Sequence, residues 1–389
     1  MRHRDKMNTI SNHDDEKTIF ITIAACGEFF LEQTIRSAMS LASNPNRLHF
    51  GVFNNILDKN LVSYWDANRD KSFKSKEDLS MLSNPFFTNN EQIVYAELTT
   101  SVPMGVGHGR FNAALLSSKE RYDYFFQIDA HTIFSNDWDK IIIENYNTVK
   151  REEEIDSIIL SCIPGISWTY DPKNRNDVYS YQELLNENGI KFLNPYENNY
   201  NNLNFDFFNG IPRISLNGWA PSHSGSTFSD ENVGVPIVIG GQGFGYKDYE
   251  ETNCVHASFM FGEYSMLRDI MHDPQDSFSG DQTNYSLRLL SRGYRIFSVK
   301  KPILGSLNKS DEYGLKDVVG GSDRVKSLDT DSSWRDFESK SKSGQRLYRS
   351  ILINSKKRCE DIFSGKYLGY WGAPDMDSLK IAKGKMGLD

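Results

Sequence analysis

Cysteine is scarce in this chain, and so are long apolar runs and any excess of positive charge. Four cysteines in 389 residues, Cys26, Cys162, Cys254 and Cys359, lie far apart and form no Cys-X-X-Cys pair. That excludes a disulfide framework and a thiolate zinc ribbon, and it favours reduced, buried thiols. No apolar segment approaches the ~20 residues of a membrane-spanning helix, and the start, Met1–Lys6, lacks the hydrophobic run of a secretion signal. A cytoplasmic protein with no membrane partner is the expectation. Acidic residues outnumber basic ones, 52 to 44, for a formal net charge of -8. Broad coating of a polyanion is therefore disfavoured, although a local basic groove stays open. Neither a Walker sequence nor a dinucleotide fingerprint occurs after the first strand, which argues against a P-loop enzyme and a Rossmann oxidoreductase.

What is present is an alternation of apolar runs with helix-spaced stretches. Lys17–Ala25, Leu48–Asn54, Glu91–Leu98, Asp156–Ser161, Ile211–Trp219, Cys254–Glu263 and Tyr294–Val299 read as strands. Between the first two, Leu31, Ile35, Ala38, Met39 and Ala42 share a helix face that begins near Glu28. Strand, helix, strand at this spacing predicts an α/β fold with a central, mostly parallel sheet and right-handed crossovers. The expected organisation is a flexible segment over 1–16, a catalytic domain over 17–305 and a C-terminal extension packed on it over 306–389. An irregular, Asn-rich insertion near 167–250 is expected within the domain.

The run from Tyr122 to Phe134 is the strongest candidate for chemistry. It is apolar and aromatic until Asp129-Ala130-His131, so it reads as a buried strand delivering polar groups at its carboxyl end, where open α/β sheets bind ligands. Continued extension would place Asp129 and His131 on one side, able to share a divalent cation or a diphosphate-metal complex. The same pattern also arises as a plain capped strand end. A helix should follow from Trp138, with Ser135 or Asn136 as its cap.

Two further stretches carry candidates. Gly105-Val106-Gly107-His108-Gly109-Arg110 is a glycine-rich turn before a helix; its backbone could approach a ligand, and Arg110 could bind phosphate or hold an acidic neighbour. Asp281 precedes another helix, which it could cap; alternatively it could act as a base on an acceptor hydroxyl if its carboxylate faces the pocket. Tyr370 and Trp371 could stack on a base or sugar, or simply pack.

Several of these stretches resemble the GlcNAc-transferase family that includes the Skp1-hydroxyproline GlcNAc-transferases and related bacterial and viral glycosyltransferases. The resemblance runs through Ile19–Ala25, Gly105–Arg110, Phe126–His131 with Phe134 and Trp138-Asp139, Ser161–Gly165, Ala257–Phe261, Gly280-Asp281-Gln282 and the closing Gly387–Asp389. It implies a GT-A-like nucleotide-sugar-binding fold and sugar transfer from a nucleotide-sugar donor, UDP-linked, to an acceptor hydroxyl on protein. It further implies donor contacts from Ala24, Ala25, Cys26, Glu28, Arg110 and Asp129, a Mn²⁺ or Mg²⁺ ion on Asp129 and His131, and catalytic roles for Arg110 and Asp281. The chain departs from the family in three places. Gly27-Glu28 stands where an arginine-aspartate pair is usual, Asp281-Gln282 replaces an acid pair, and Gly305-Ser306 falls where a downstream metal histidine is expected.

Two rival readings follow from these departures and from the viral relatives. One is a glycosyltransferase acting on hydroxymethylated bases in DNA, with His223, Lys300, Lys301 and Trp371 as channel residues. The other is an inactive glycan- or nucleotide-binding protein. No sequence signal sets the oligomeric state.

Overall fold

Apolar runs in this chain are short and fully hydrophobic, as expected of strands covered on both faces. The computed structural model describes residues 17–25, 31–57, 80–100, 104–117, 121–168, 205–215, 237–242, 244–276, 280–306, 354–355 and 357–388. Its strands are β1 (Ile19–Ala25), β2 (Leu48–Leu57), β3 (Ile93–Thr100), β4 (Tyr124–Asp129), β5 (Thr132–Phe134), β6 (Ile158–Ser161), β7 (Ile163–Trp168), β8 (Phe205–Ser215), β9 (Ile237–Gln242), β10 (Tyr249–Thr252), β11 (Phe259–Glu263), β12 (Arg295–Val299) and β13 (Leu304–Ser306). Its helices are α1 (Leu31–Leu41), a single turn α2 (Pro85–Thr88), α3 (Val106–Leu115), α4 (Trp138–Glu152), α5 (Tyr264–Asp269), α6 (Asp281–Leu290) and α7 (Met376–Met386).

Eight strands form the central sheet in the order β10-β12-β6-β11-β4-β1-β2-β3. β11 and β10 run against the rest, which are parallel. This is the central, mostly parallel α/β sheet that the sequence predicts, with two antiparallel members. One face buries α1 and α4: Leu31, Ile35 and Ala38 from α1 and Trp138, Ile142, Tyr146 and Val149 from α4 are buried at helical spacing. Phe126 of β4 lies at the centre, its ring 5.7 Å from Trp138 and 5.2 Å from Phe259. Each such fully buried side chain contributes roughly 1.5–3 kcal/mol. The other face packs on α5, α6 and the C-terminal segment, with Met260, Leu287, Leu289, Ile362 and Leu379 buried together.

Three expectations need correction. The run Tyr122–Phe134 is two strands, because a turn at Ala130-His131 separates β4 from β5 and sends β5 to pair with β13. Neither Ser135 nor Asn136 caps α4. The N-cap is Asp137, in the left-handed region at φ 57, without a side-chain cap bond; its N–H donates to Leu41 O at 2.8 Å, tying α4 to the end of α1. The strand expected over Ile211–Trp219 is β8, which starts earlier, at Phe205. β7, β8 and β9 pair antiparallel in a separate three-stranded sheet.

Cys162, Cys254 and Cys359 are buried and form no disulfide, and burial pushes the Cys162 thiol up to about 12. Among the described residues no helix is long and apolar enough to cross a membrane.

Candidate active site

β4 ends in the middle of the sheet, and its neighbour β1 ends level with it: Ala24 is the register partner of Asp129 and also of Phe53. Asp129 thus emerges at the carboxyl edge beside Ala24 and Ala25, where parallel sheets open a crevice. The turn that follows is clamped from α1. The hydroxyl of Thr34 donates to Ala130 O at 2.9 Å and accepts from Thr132 N at 2.9 Å. Thr132 Oγ1 donates to Asp129 O at 2.8 Å. Asp129 and His131 therefore meet across a fixed turn, with His131 Nε2 3.9 Å from Asp129 Oδ2.

The glycine-rich stretch has a different job from the one its composition suggested. Gly105 precedes α3, but Gly107 and Gly109 lie inside it and are buried against protein. A Cβ at Gly107 would collide with the backbone carbonyls of Asp273 and Asp276, and one at Gly109 would lie 3.1 Å from the Ala24 Cβ. Glycine within a helix costs about 1 kcal/mol relative to alanine; here it lets α3 sit directly on β1 and on the loop before α6. That close seat brings Arg110 over the carboxyl edge.

Arg110 bridges two aspartates. Its Nη2 is 3.5 Å from Asp129 Oδ1, and its Nη1 is bonded to Asp281 Oδ2. The Asp281 side chain is 1% exposed, against 29% for Asp129. Asp281 is the first residue of α6, whose N-cap is Gly280, and it does not cap the helix. Instead its second oxygen, Oδ1, lies 2.9 Å from Nδ1 of His272, whose ring stacks on Tyr285 at 4.2 Å and 10°. Burial alone would raise the Asp281 pKa, but Arg110 and His272 outweigh it and hold the carboxyl at about 2, below the ordinary 3.8. His272 itself is pushed down by burial, against the pull of Asp281. The Asp281 carboxylate is thus enclosed, with Arg110 on one oxygen and His272 on the other.

Other residues join the site without any sequence signal. The His256-Ala257-Ser258 turn lies between β4 and α6: Gln127 Nε2 donates to Ala257 O at 2.7 Å, and Ala257 N donates to Gln282 Oε1 at 3.3 Å. His256 Nδ1 is 2.5 Å from Ser258 Oγ. Burial lowers its pKa to about 4, with Asp129 opposing and Arg110 adding to the shift. A position-specific signal for His272 or His256 does not exist, since both reach the site only through strand pairing and packing.

Asp129 and His131 supply one carboxylate and one imidazole on an accessible edge, a donor set suited to Mn²⁺ or Mg²⁺ that shares further oxygens with a diphosphate. No third His, Cys, Asp or Glu joins them in a cluster among the described residues. Ser306, in the place expected for a histidine, pairs in register with Thr132, and its buried hydroxyl has no hydrogen-bond partner among the described residues. The residues present fit a cation held by two protein ligands.

Cys26, Glu28 and His223 lie outside the described residues. Lys300 and Lys301 follow β12, three strands from β4, with Lys300 Nζ donating to Gly245 O at 3.3 Å. Trp371 packs 6.1 Å from Phe111 and 4.7 Å from Tyr370, with the Arg288 guanidinium 5.2 Å from its ring. The described members of the expected channel are thus distributed over separate elements.

Among solved structures, the crystal structure of GalNAc-T7 with UDP, GalNAc and Mn2+ is similar at 9% identity and a TM-score of 0.40, over 79% of this chain and 48% of that one. The crystal structure of S. aureus TarS is similar at 9% identity and a TM-score of 0.33, over 83% of this chain and 42% of that one. The chain thus spans about half the length of these structures or less. No curated protein matches it. The sequence model of the family described as Glycosyltransferase (GlcNAc) matches residues 53–305. That match covers more than half of the chain, from β2 to β13, and includes Arg110, Asp129, His131 and Asp281: the chain belongs to the Glycosyltransferase (GlcNAc) family.

Proposed function

We propose that this protein transfers a sugar, GlcNAc by the family's description, from a UDP-linked donor to a hydroxyl on a protein acceptor. The observation that carries this reading is the placement of Arg110 and Asp129 together at the carboxyl edge of β4 and β1, within the family match. Sugar transfer departs a diphosphate, so the site must hold an anion that gains charge as the glycosidic bond breaks. Arg110 supplies fixed positive charge through a planar fork suited to phosphate oxygens. Ala24 and Ala25, small residues at the end of β1, leave room for the nucleotide to approach the sheet edge. Asp129 and His131 would hold Mn²⁺ or Mg²⁺, which when bound supplies charge neutralisation at the leaving diphosphate. The catalytic unit in this reading is 17–305, with the described residues of the C-terminal extension, 354–355 and 357–388, packed on it. Arg358 pairing with Asp273, and Arg292 donating to Gly372 O at 2.8 Å, support that association.

The test is a donor and acceptor screen read by product mass, with and without a divalent ion. The expected result is ion-stimulated transfer of one sugar from a UDP-sugar to a hydroxyproline peptide. Transfer to hydroxymethylated DNA alone would replace the acceptor, and nucleotide binding without turnover on any donor would replace the enzyme by a binding protein.

A further inference from the structure

Arg110 touches both the part-exposed Asp129 at the sheet edge and the buried Asp281, and what holds it there is itself organised. Asp281 is fixed from two sides, by Arg110 Nη1 on Oδ2 and by His272 Nδ1 on Oδ1 at 2.9 Å. His272 in turn is held by the stack on Tyr285, whose hydroxyl donates to Ile270 O at 2.6 Å. The chain of contacts therefore runs from the interior, Tyr285 to His272 to Asp281, and ends at the guanidinium. Only the outermost link is loose: Nη2 lies 3.5 Å from Asp129 Oδ1. A planar guanidinium anchored through one nitrogen keeps its other donors in a fixed direction, which is how a positively charged group is aimed without reorganisation at the moment of reaction.

We propose that His272 and Asp281 are positioning residues that anchor Arg110 through Nη1, so that its outer nitrogens are aimed at the donor's diphosphate. This inference rests on the proposed nucleotide-sugar reading and deepens it by reassigning Asp281 from the acceptor side to the support of the leaving-group side. Donor binding then exchanges the weak Asp129 contact of Nη2 for a phosphate oxygen, while the Asp281 bond is kept. Three observations favour an anchor over a base. Asp281 is enclosed, it is ionised down to acid pH, and both its oxygens already have partners. His272, 1% exposed in its side chain, has no route to a substrate and acts only through Asp281.

The test is a binding cycle on the full chain, read by calorimetry with UDP and with uridine in the presence of Mn²⁺. The variants are His272→Phe, which keeps a ring on Tyr285 but loses the nitrogen, His272→Asn, Arg110→Ala and the double variant. The expected result is that His272→Phe weakens UDP about tenfold with uridine within about twofold, since one charge-assisted contact is only partly lost. His272→Asn, which can still donate to Asp281, recovers most of the loss, and the double variant binds UDP no more weakly than Arg110→Ala alone. Losses that add in the double variant, or equal losses for UDP and uridine, overturn the anchor. If His272→Phe fails to fold, Asp281→Asn completes the same cycle with Arg110→Ala, and His272→Asn remains the conservative control. A wild-type chain that binds no UDP overturns the nucleotide-sugar reading and this inference with it; one that binds UDP with additive losses overturns this inference alone.

Discussion

The two aspartates that share Arg110 belong to opposite kinds of site. Asp129 stands at a strand end, part exposed, with partners at 3.5 and 3.9 Å. Asp281 is enclosed at the start of α6, bonded on both oxygens, and its carboxyl is held at about 2. Near neutral pH a loosely paired, accessible carboxylate is free to exchange partners for a ligand, whereas a tightly paired buried one is committed to structure. Residue type alone does not separate the two; burial and the number of partners do.

The largest effect should come from breaking the buried side. Asp281→Ala leaves Arg110 and His272 without their shared acceptor, and removing one partner of a buried ion pair costs roughly 3–5 kcal/mol. Urea unfolding should show that loss, and a change under about 1 kcal/mol would mean that Asp281 is not the structural member of the pair. Breaking the open side should do the reverse. Asp129→Asn is expected to lower turnover by at least ~10²-fold, the usual cost of losing one group that stabilises developing charge, while the thermal midpoint stays near that of the wild type. Equal turnover in the purified variant would remove Asp129 from the mechanism.

A third aspartate sharpens the comparison through pH. Asp276, whose oxygens accept from Asn284 Nδ2 at 2.9 Å, is pushed up to about 8, first by burial and then by Asp273. The sign of its linkage opposes that of Asp281. A raised carboxyl contributes stability that is present below the ordinary value near 4 and is lost as pH rises toward 8. The depressed Asp281 contributes stability present above about 4 and lost as pH falls toward 2. The urea midpoint should therefore decline between pH 4 and 8, and Asp276→Asn should flatten that limb while leaving the acid limb intact. A variant with an unchanged slope would assign the decline elsewhere.

How much of this was legible in the sequence differs from residue to residue. Asp129 and His131 could be found because they follow an apolar run long enough to cross a sheet, and polar groups at the end of such a run have few places to go. Arg110 was found for a partly wrong reason. The glycines before it suggested a ligand-binding loop, yet they serve the close packing of α3 on β1 and on the loop at Asp273. Asp281 stood out as a residue but its surroundings did not, because a carboxylate at the start of a helix has the same sequence signature whether it faces solvent, a substrate or an arginine 171 positions away. Thr34, His256 and His272 carried no local signal at all.

The sequence by itself determined the alternation of strands and helices, the strand that ends at Asp129 and the family to which the chain belongs, since these follow from short-range periodicity and from residue types at fixed spacings. Only the tertiary structure decided which carboxylate is open and which is locked. That distinction depends on desolvation and on partners drawn from β4, α3 and the loop before α6, and no local pattern records which distant groups will share a buried charge.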